Sequence, residues 1–484
     1  ELLLTANDTL GIPVERLSEA LLADAERQVV VIEEDRVYLS NNFADEVSIA
    51  VRLAALMRTK VGFRPILANN AVEWAEKKMG LTLASAQWQA LHMAVSEKVC
   101  VVTGGPGVGK TTIIRALCEI FSARKLRLFL AAPTGRAAKR MNESTGFKAT
   151  TLHRLLKYQP QTGGFLYGLE NRIPGDVFIL DECSMLDAAL TRKFLEALPD
   201  TAVLILVGDA DQLPSVGAGN VLGDLIASDV IPCARLTTIF RQDASGYIVR
   251  NAHRVNQGEV FETPPPGSDS DFYFMEAMDP AKVQDMLLRM VTRRIPARFG
   301  LDPTHDVQVL TPMRRGDLGT DRLNELLQRS INPSGAALVR GATLFRERDR
   351  VMQITNDYDK DVYNGDIGFI VSVDAAGATL LVDFDGKLVE YKQDELDELT
   401  LAYACSIHKS QGSEYPAVVI VLHTQHFKLL RKNLLYTAIT RGKRLVVVIG
   451  SSKAVWIALH AEADIRRQTT LAQRLRRQLG KEEH

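Results

Sequence analysis

Net charge and long apolar runs are both missing from this sequence of 484 residues. Its 58 lysines and arginines are offset by 59 aspartates and glutamates, so the formal net charge is −1. A general polyanion binder would be strongly basic, and any contact with nucleic acid must therefore come from local basic patches. No apolar run approaches the ~18 residues of a membrane span, and there is no signal peptide. We therefore expect no membrane partner and a cytoplasmic location.

Cysteine is scarce, and none of the five cysteines forms a CxxC pair. A zinc site or a disulfide framework is not expected, and a reduced, intracellular protein fits. The composition, 46% hydrophobic and 24% charged, excludes disorder and is typical of a globular protein. The length exceeds what one hydrophobic core can hold and predicts about two to four domains. The sequence begins at Glu1 and not at Met, which predicts either a chosen start within a longer sequence or a missing N-terminal region.

Two local runs are strongly basic despite the neutral total. Seven basic residues and one acid lie between Arg124 and Lys148, and six basic residues and no acid lie between Arg466 and Lys481. Runs of this kind are usually solvated helix faces. The first run lies close in sequence to a phosphate loop, described below, which favours nucleic-acid binding there.

Alternating strand and helix patterns predict an α/β protein with two parallel-sheet domains, at residues 81–235 and 236–484. Predicted strands such as Val177–Asp181 and Val203–Gly208 are mostly apolar, as strands buried on both faces of a parallel sheet are. Within the second domain, residues 341–399 contain short strands separated by Asn-Gly and Asp-Gly turns. That pattern predicts a small inserted antiparallel barrel.

Residues 1–80 are predicted to form a small separate unit. Pro13–Arg27 and Ala44–Met57 have helical patterns, and Val29–Leu39 alternates around the turn Glu33–Asp35, which indicates a hairpin. A winged-helix-like module and a docking or spacer domain both fit this order, and the residues favour neither.

The segment Gly104–Thr111 matches the phosphate-loop pattern G-x-x-x-x-G-K-[ST]. It follows an apolar strand and precedes a helical stretch, which is the context that the motif requires. Glycines let successive backbone N–H groups turn toward phosphates. Lys110 is expected to reach the β- and γ-phosphates of ATP, and the Thr111 hydroxyl is expected to bind Mg²⁺. The predicted nucleotide contacts are Gly105, Pro106, Gly107, Val108, Gly109, Lys110, Thr111 and Thr112.

Two adjacent carboxylates, Asp181 and Glu182, end a second apolar strand. Beside a phosphate loop, Asp181 is expected to hold the Mg²⁺, and Glu182 is expected to orient and polarise the attacking water. Gln212 follows a third strand and can sense the γ-phosphate. Arg241 and Arg441 lie outside the first α/β domain, and an arginine that reaches a γ-phosphate across a cleft makes closure depend on the nucleotide. Either arginine alone would more often be a surface residue.

The order of these motifs resembles that of superfamily-one DNA helicases. It runs through Gln87, GGPGVGKTT, AAPTGRAAKR, TLHRLL, LDECSML, GDADQLPSV, FRQ, SIHKSQGSE and YTAITRGK, from about Leu81 to Gly450. The segments APTGRAAKR, TLHRLL and QITNDYDKDVYNGDIG are similar to the RecD branch in particular. This resemblance implies two RecA-like motor domains, an SH3-like barrel inserted in the second, and 5′→3′ unwinding of duplex DNA.

The matching positions imply further roles at the nucleotide. Gln87 would contact adenine, and Gln212, Arg241 and Arg441 would contact the γ-phosphate. A third group would border the nucleotide and couple it to DNA, namely Gln411, Gly412 and Glu414.

The resemblance also implies a channel for single-stranded DNA. Its lining would consist of Pro133, Thr134, Arg136, Thr151, His153, His408 and Lys409. His153 or His408 alone would more often be a structural histidine, and the motif around each favours contact with DNA.

A hairpin pattern in residues 157–175 predicts the wedge that separates the two strands. Tyr158–Tyr167 contains a turn-forming Thr-Gly-Gly, and two strands of ~6 residues would project by ~20 Å, about the width of a duplex. A plain surface hairpin is the alternative.

The implied function is that of an ATP-dependent helicase that uses Mg²⁺ and acts on single-stranded DNA and on junctions with duplex. A motor subunit active only within a RecBCD-type exonuclease complex is one alternative, and an RNA-binding ATPase switch is another. We expect a monomer at the nucleoid, with single-strand-binding or recombination proteins as partners. The direction of movement rests on the resemblance alone.

Overall fold

The fold is taken from a computed structural model. It describes residues 1–237, 246–265, 267–461 and 467–480. The helices are α1 Leu2–Leu10, α2 Val14–Glu26, α3 Ser40–Arg58, α4 Ala68–Met79, α5 Ser85–Ser96, α6 Lys110–Ala123, α7 Gly135–Thr145, α8 Leu152–Leu155, α9 Ala188–Ala197, α10 Val221–Ser228, α11 Tyr247–Asn256, α12 Pro280–Arg289, α13 Ile295–Phe299, α14 Thr320–Ile331, α15 Lys432–Thr440, α16 Ser452–His460 and α17 Leu471–Leu479.

The strands group into two parallel sheets, one antiparallel sheet and three hairpins among the described residues. They are β1 Val30–Glu33, β2 Arg36–Leu39, β3 Val99–Gly104, β4 Leu128–Ala132, β5 Ala149–Thr151, β6 Tyr158–Gln159, β7 Gly164–Phe165, β8 Val177–Leu180, β9 Val203–Gly208, β10 Cys233–Leu236, β11 Phe272–Glu276, β12 Val307–Thr311, β13 Ala337–Arg340, β14 Thr343–Arg346, β15 Arg350–Gln353, β16 Ile367–Asp374, β17 Thr379–Phe384, β18 Lys387–Lys392, β19 Leu399–Leu401, β20 Ala404–Ser406, β21 Tyr415–Leu422 and β22 Gly442–Gly450.

The first parallel sheet has six strands in the order β10-β3-β9-β8-β4-β5. Every residue of β8 and β9 is buried, because helices cover both faces of the sheet. One face packs on α4, α5 and α6, and the other on α3, α9, α10 and α17. Strands buried on both faces have continuous apolar runs, which is why these strands were predictable from the sequence.

The second parallel sheet has the order β11-β22-β21-β12-β20. Between β12 and β20 the chain adds a hairpin, β13-β14, and a five-stranded antiparallel sheet, β18-β17-β16-β15-β19. Val382 and Tyr391 of this insert share a core with Val309 and Val419 of the parallel sheet. The predicted α/β class and the antiparallel insert are both confirmed. The predicted start of the insert at residue 341 falls in the turn of the β13-β14 hairpin.

The helices before residue 80, where the sequence pattern predicts a domain boundary, pack on the first parallel sheet like those after it. The predicted helix, hairpin and helix are present as α2, β1-β2 and α3. Ile49 and Leu53 of α3 are fully buried in the core of the first sheet, and Val72 of α4 is buried on the opposite face of that sheet. The amphipathic periodicity identifies an apolar face but not its partner, so these helices resembled a separate unit. Only α1 and α2 have no buried residue among the described helices of this unit.

The last helix of the predicted second domain, α17, packs on the first domain instead. Helix α17 buries Leu471 and Leu475, one turn apart, against α3 and α10 of the first domain. The basic side chains of α17 bind protein groups. Arg474 lies 4.5 Å over the Phe43 ring and pairs with Glu33. The described part of the second basic run is therefore a docked helix, and not the solvated face that its composition predicts.

The predicted wedge is much shorter than expected. Two residue pairs form the ladder of β6 and β7, Tyr158 with Phe165 and Gln159 with Gly164, and at the base the N–H groups of residues 166 and 167 donate to the carbonyls of residues 157 and 156. Each paired stretch spans about 7 Å, and not the predicted ~20 Å. Lys157 has a left-handed φ of 53°, which interrupts the extended backbone at the base, and Pro160 has no N–H to donate at the tip. The hairpin is therefore a small projection whose tip, residues 160–163, is exposed.

Candidate functional site

The phosphate loop lies between the end of β3 and the start of α6, as the sequence predicts. Gly107 and Gly109 have φ of 75° and 89°, a left-handed conformation that favours glycine. Lys110 begins α6, and its Nζ donates a hydrogen bond of 2.7 Å to the Gly105 carbonyl and another to that of Gly104. The loop thus presents backbone N–H groups and a helix N-terminus, which together favour phosphate.

A cleft of about 380 Å³ opens above this loop, between the two parallel-sheet domains. Most of the predicted nucleotide residues line it, and Thr440 and Lys443 of the second domain border it as well. The lining consists of Gln87, Gly105, Pro106, Gly107, Gly109, Lys110, Thr111, Thr112, Arg140, Ser144, Asp181, Glu182, Gln212, Glu414, Thr440, Arg441 and Lys443. Val108 is fully buried below the loop, and its carbonyl accepts a hydrogen bond of 3.1 Å from Gln87.

Gln87 closes one side of the loop. Its Nε2 donates to the Val108 carbonyl and its Oε1 accepts from the Ala84 N–H at 3.3 Å, so the side chain is held at both ends. A Cβ atom at Gly109 would lie 2.1 Å from Gln87 Nε2. A side chain at position 109 would therefore have to displace the Gln87 amide, and the left-handed φ of 89° favours glycine there as well.

We predict that Gly109→Ala weakens nucleotide binding by about tenfold or more, equivalent to ~1.4 kcal/mol. The added methyl group must displace Gln87 or the loop, and alanine at this φ adds about 1–2 kcal/mol of strain. Titration with a fluorescent ATP analogue measures the affinity, and urea unfolding measures the strain. Gly300→Ala is the matched control, because Gly300 has φ 64° and no atom within 4 Å of its added Cβ. We expect it to lose stability but keep its nucleotide affinity. Equal nucleotide affinities in the Gly109→Ala and Gly300→Ala variants would contradict a role for Gly109 in shaping the nucleotide site.

The two predicted carboxylates follow β8 directly. Asp181 and Glu182 are both buried, and Asp181 Oδ1 accepts a hydrogen bond of 2.8 Å from the Glu182 N–H. Burial and the neighbouring Glu182 raise the pKa of Asp181. Burial also acts to raise the pKa of Glu182, but the positive charges of Arg140 and Arg441 outweigh it and lower that pKa. Glu182 also has a left-handed φ of 54°, which turns the chain sharply at the strand end.

The residue that joins this carboxylate pair to the second domain is Arg140, which the sequence reasoning left within a basic run. Its guanidinium pairs with Glu182, lies 3.9 Å from Asp181 and pairs with Glu414 of the second domain at 3.1 Å. Arg136 lies one turn earlier on α7 and donates to the Ser413 and Tyr415 hydroxyls at 2.8 and 2.9 Å. The i, i+4 spacing of the two arginines was the signal that could have shown one shared helix face.

Arg441 is 2% exposed and already directed at the cleft. It donates hydrogen bonds to the Ser413 carbonyl at 2.9 Å and to the Thr437 carbonyl at 3.2 Å. These partners belong to its own domain, so the second domain fixes the guanidinium without help from the first. Arg441 therefore lines the cleft with its guanidinium fixed by its own domain, and its contact with a γ-phosphate stays a prediction.

Direct hydrogen bonds connect the two domains beside the cleft. The Tyr436 hydroxyl donates to Asp209 at 2.8 Å, and Thr437 accepts from the Leu213 N–H at 2.9 Å. The Gln411 amide donates to the Leu213 carbonyl at 2.8 Å. The loop that carries Gln212 is thus held by the second domain.

Gln212 itself lies between Asp209 and the cleft. Its Nε2 donates to Asp209 at 3.1 Å, while its buried Oε1 has no hydrogen-bond partner among the described residues. A buried amide atom without a partner fits a ligand group that is supplied in the cleft. Arg241, the third predicted γ-phosphate contact, lies outside the described residues.

The predicted DNA-contacting residues do not form one open surface. The hydroxyls of Thr134 and Thr151 cap α7 and α8, each accepting at 3.3 Å from a backbone N–H three residues later. Pro133 directly precedes Thr134, and Arg136 faces the second domain, as described above. His153 packs against the rings of Tyr158 and Phe165, and burial lowers its pKa.

His408 and Lys409 form an exposed 3-10 turn on the second domain. Gly412 lies across the domain boundary from Thr134, since an added Cβ there would approach Thr134 Oγ1 to 2.9 Å. The first basic run is likewise divided, because Arg127 pairs with Asp176 and Lys139 with Asp385 of the insert.

The residues present fit ATP with Mg²⁺. Gly109 has a left-handed φ that favours glycine, Lys110 lies at the helix N-terminus, and Thr111 is exposed and lines the cleft. A threonine hydroxyl and an aspartate carboxylate are hard oxygen ligands of the kind that Mg²⁺ takes in phosphate-loop enzymes. The fold and this cleft define a nucleotide-binding protein of the phosphate-loop class, with one phosphate loop at the cleft between two parallel-sheet domains.

Comparisons with known proteins identify the family. Residues 87–218 match the model of an AAA domain, residues 323–384 that of the ATP-dependent RecD-like DNA helicase SH3 domain, and residues 401–449 that of the UvrD-like helicase C-terminal domain. The ATP-dependent RecD2 DNA helicase of Deinococcus radiodurans is 38% identical over 446 residues, which cover 92% of this chain and 59% of that protein. The RecBCD enzyme subunit RecD of Mycolicibacterium smegmatis is 30% identical over 91% of this chain and 82% of that subunit.

The chain belongs to the RecD-like family of DNA helicases. It spans 59% of the length of the Deinococcus relative. The Pif1 helicase of Candida albicans is a solved structure with 19% identity, a TM-score of 0.49 and coverage of 83% of this chain and all of that one. The predicted resemblance and the SH3-like character of the insert are confirmed. Across the part of the chain that the structure describes, no helix has the length and hydropathy to cross a membrane.

Proposed function

We propose that this chain is an ATP-dependent DNA helicase that moves 5′→3′ along single-stranded DNA and unwinds duplex. The observation that carries the proposal is the cleft between the two motor domains. Lys110, Asp181 and Glu182 approach it from the first domain, and Glu414 and Arg441 approach it from the second. A site divided between two domains makes their closure depend on the nucleotide, which a motor requires.

Each side chain has a role in this proposal. Bound Mg²⁺ would neutralise the charge that develops on the phosphates, with Thr111 and Asp181 as its protein ligands. Glu182 orients the attacking water, and Lys110 and Arg441 stabilise the transferred phosphoryl group. Alternating closure and opening of the cleft moves the domains along the strand in turn, in the manner of an inchworm, by about one nucleotide per cycle.

Polarity is tested with partial duplexes that carry a 5′ or a 3′ single-stranded tail. We expect ATP-dependent unwinding of the 5′-tailed substrate only. Unwinding of the 3′-tailed substrate alone would reverse the assigned direction. Stimulation of ATP hydrolysis by RNA and not by DNA strands of the same sequence would favour the RNA-binding switch.

A second candidate is a motor subunit that needs a RecBCD-type complex. The similarity to the Mycolicibacterium RecD subunit, which covers 82% of that protein, favours it. The two candidates separate in one experiment, gel filtration of the isolated chain followed by a forked-duplex unwinding assay. Unwinding by a monomer supports the autonomous enzyme, and unwinding only after addition of partner chains supports the subunit. We place the autonomous enzyme first, as a monomer at the nucleoid that works with single-strand-binding or recombination proteins.

The hairpin is the proposed wedge even though it is short. Tyr158 packs against the Tyr358 ring of the insert at 5.1 Å, so the base of the hairpin is held from two sides. DNA stacking stabilises each base-pair step by about 1.4 kcal/mol, so a motor that arrives at an intact junction needs a rigid element to part the strands. The exposed tip at residues 160–163 is suited to meet the junction.

We predict that replacing residues 160–163 by Gly-Ser abolishes unwinding but leaves the DNA-stimulated ATPase intact, because a wedge acts only at the fork. Forked-duplex and ATPase assays measure the two activities. The same replacement at the exposed turn between α1 and α2, residues 10–13, is the control and should change neither. Loss of both activities in the hairpin variant would make the hairpin part of the DNA track, and retained unwinding would move the wedge elsewhere, with the insert as the next candidate.

A further inference from the structure

We propose that Arg140 is a positioning residue that makes the reactivity of Glu182 depend on whether a DNA strand occupies the motor. The inference rests on the proposed function and deepens it. It adds an ionic link that runs from the first domain, through Arg140, to Glu414 in the second.

The first observation is that Arg140 contacts acids of both domains at once. It pairs with Glu182 and, at 3.1 Å, with Glu414, and these two carboxylates belong to different motor domains. The side chain of Glu182 is 7% exposed, and that of Glu414 is 26% exposed. Arg140 is thus the cation that holds Glu182 in this structure. A carboxylate whose oxygens accept hydrogen bonds from a guanidinium is less able to accept one from a water molecule.

The second observation concerns the helix that carries Arg140. Helix α7 begins directly after Thr134, whose hydroxyl caps it, and Pro133 and Thr134 are predicted to contact DNA. Arg140 lies six residues after the cap, about 9 Å along the helix axis. A strand bound at the start of α7 and the carboxylate at the nucleotide are therefore joined by one short, rigid element.

The third observation is that Glu414 can take a larger share of Arg140. Glu414 Oε2 also lies 3.3 Å from Lys443 Nζ, and Lys443 is exposed and free to turn toward solvent. One turn earlier on the same face of α7, Arg136 binds the Ser413 and Tyr415 hydroxyls, so the residues on both sides of Glu414 in the sequence contact the same helix. A shift of α7 or of the second domain changes how Arg140 is divided between Glu182 and Glu414.

Together these contacts describe a restraint that DNA releases. While Arg140 holds Glu182, that carboxylate is not free to orient water, and hydrolysis is slow. A strand on Pro133 and Thr134 moves α7 relative to the second domain, Arg140 moves toward Glu414, and Glu182 becomes available. By reciprocity, nucleotide binding must change the affinity for DNA through the same link.

The test is Arg140→Gln, with Lys139→Gln as the matched control. Lys139 is the neighbouring cation on α7, but it pairs with Asp385 of the insert and Glu143 of its own helix. The first readout is binding of fluorescent oligo(dT) with and without a non-hydrolysable ATP analogue. Couplings between sites are typically about 5–150-fold, and we expect Arg140→Gln to bring the ratio of the two dissociation constants to about 1. Lys139→Gln should keep the wild-type ratio.

The second readout is the ATPase rate with and without oligo(dT). Arg140→Gln should raise the rate without DNA, so that stimulation by DNA is lost, and Arg140→Lys should restore part of the stimulation. A fall of both rates with unchanged stimulation and unchanged binding ratio would overturn the proposal, because Arg140 would then only support the site. Loss of coupling in Lys139→Gln as well would overturn it too, since the effect would belong to the charge of α7.

Failure of the inference is distinguishable from failure of the proposed function. If the wild-type chain neither binds oligo(dT) nor hydrolyses ATP, the helicase proposal fails. If the wild-type chain does both and Arg140→Gln behaves like it, only the role of Arg140 fails.

Discussion

Replacing Lys110 with alanine is expected to abolish ATP hydrolysis while the fold stays intact. Lys110 starts α6 at the mouth of the cleft, and its only hydrogen bonds among the described residues are to the Gly104 and Gly105 carbonyls of its own loop. Both glycines are partly exposed, so water can replace the lysine at their carbonyls and the cost to folding is small. The loss in kcat should be at least about 10²–10³-fold, the effect of removing one preorganised donor to a transition state.

The measurement is the steady-state ATPase rate with saturating single-stranded DNA, with circular dichroism and thermal unfolding to establish the fold. Lys453→Ala is the control, because Lys453 is an exposed lysine on α16 far from the loop in sequence. A folded Lys110→Ala protein with a normal DNA-stimulated rate would rule out this loop as the hydrolytic site.

Arg441→Ala is expected to leave nucleotide binding largely unchanged and to slow hydrolysis by about 10³–10⁵-fold, as loss of an arginine finger does in related phosphoryl-transfer enzymes. That range corresponds to ~4–7 kcal/mol of barrier. The reason is geometric, because the second domain holds the guanidinium at the cleft and its charge acts only when the cleft closes.

Burial complicates this variant, and the design must allow for it. Removal of Arg441 takes the donor from the Ser413 carbonyl, and an unsatisfied buried group costs about 1–3 kcal/mol, whereas the Thr437 carbonyl still accepts from the Thr440 hydroxyl at 2.9 Å. Thermal unfolding therefore accompanies the kinetics, and Arg441→Lys keeps the charge with less loss of structure. Arg444→Ala, three residues on and exposed, controls for loss of positive charge. A loss of less than tenfold in a folded protein would place Arg441 away from the γ-phosphate.

Local chemistry made the nucleotide site predictable from the sequence. The glycines, Lys110, Asp181 and Glu182 follow buried strands, and parallel strands of one sheet end at the same edge, so their side chains had to converge. The strands themselves were visible as apolar runs. The insert was visible because its turns need Asn-Gly or Asp-Gly at the tight corners.

Side-chain contacts between residues far apart in the sequence were not predictable in the same way. Composition placed Arg136 and Arg140 in a basic run, although Arg136 contacts hydroxyls of the opposite domain and Arg140 contacts a carboxylate of each domain. Charge counting cannot distinguish a cation that faces solvent from one that faces a buried acid. The length of the hairpin also could not be predicted, since a left-handed φ at Lys157 is a non-glycine exception that leaves no mark in the pattern.

The docking of α17 on the first motor domain constrains the order in which the protein can fold. Thr470 donates hydrogen bonds from its N–H and its hydroxyl to Glu46, at 2.9 and 2.8 Å, across 424 residues of sequence. Closing a flexible loop of that length costs about 5 kcal/mol of chain entropy. During synthesis the apolar groove between α3 and α10 stays exposed to solvent until residues 467–480 have been made. An exposed apolar groove favours aggregation of the incomplete chain. The second motor domain lies between the two distant parts of the first domain in the sequence, so its own folding shortens the flexible loop that has to close.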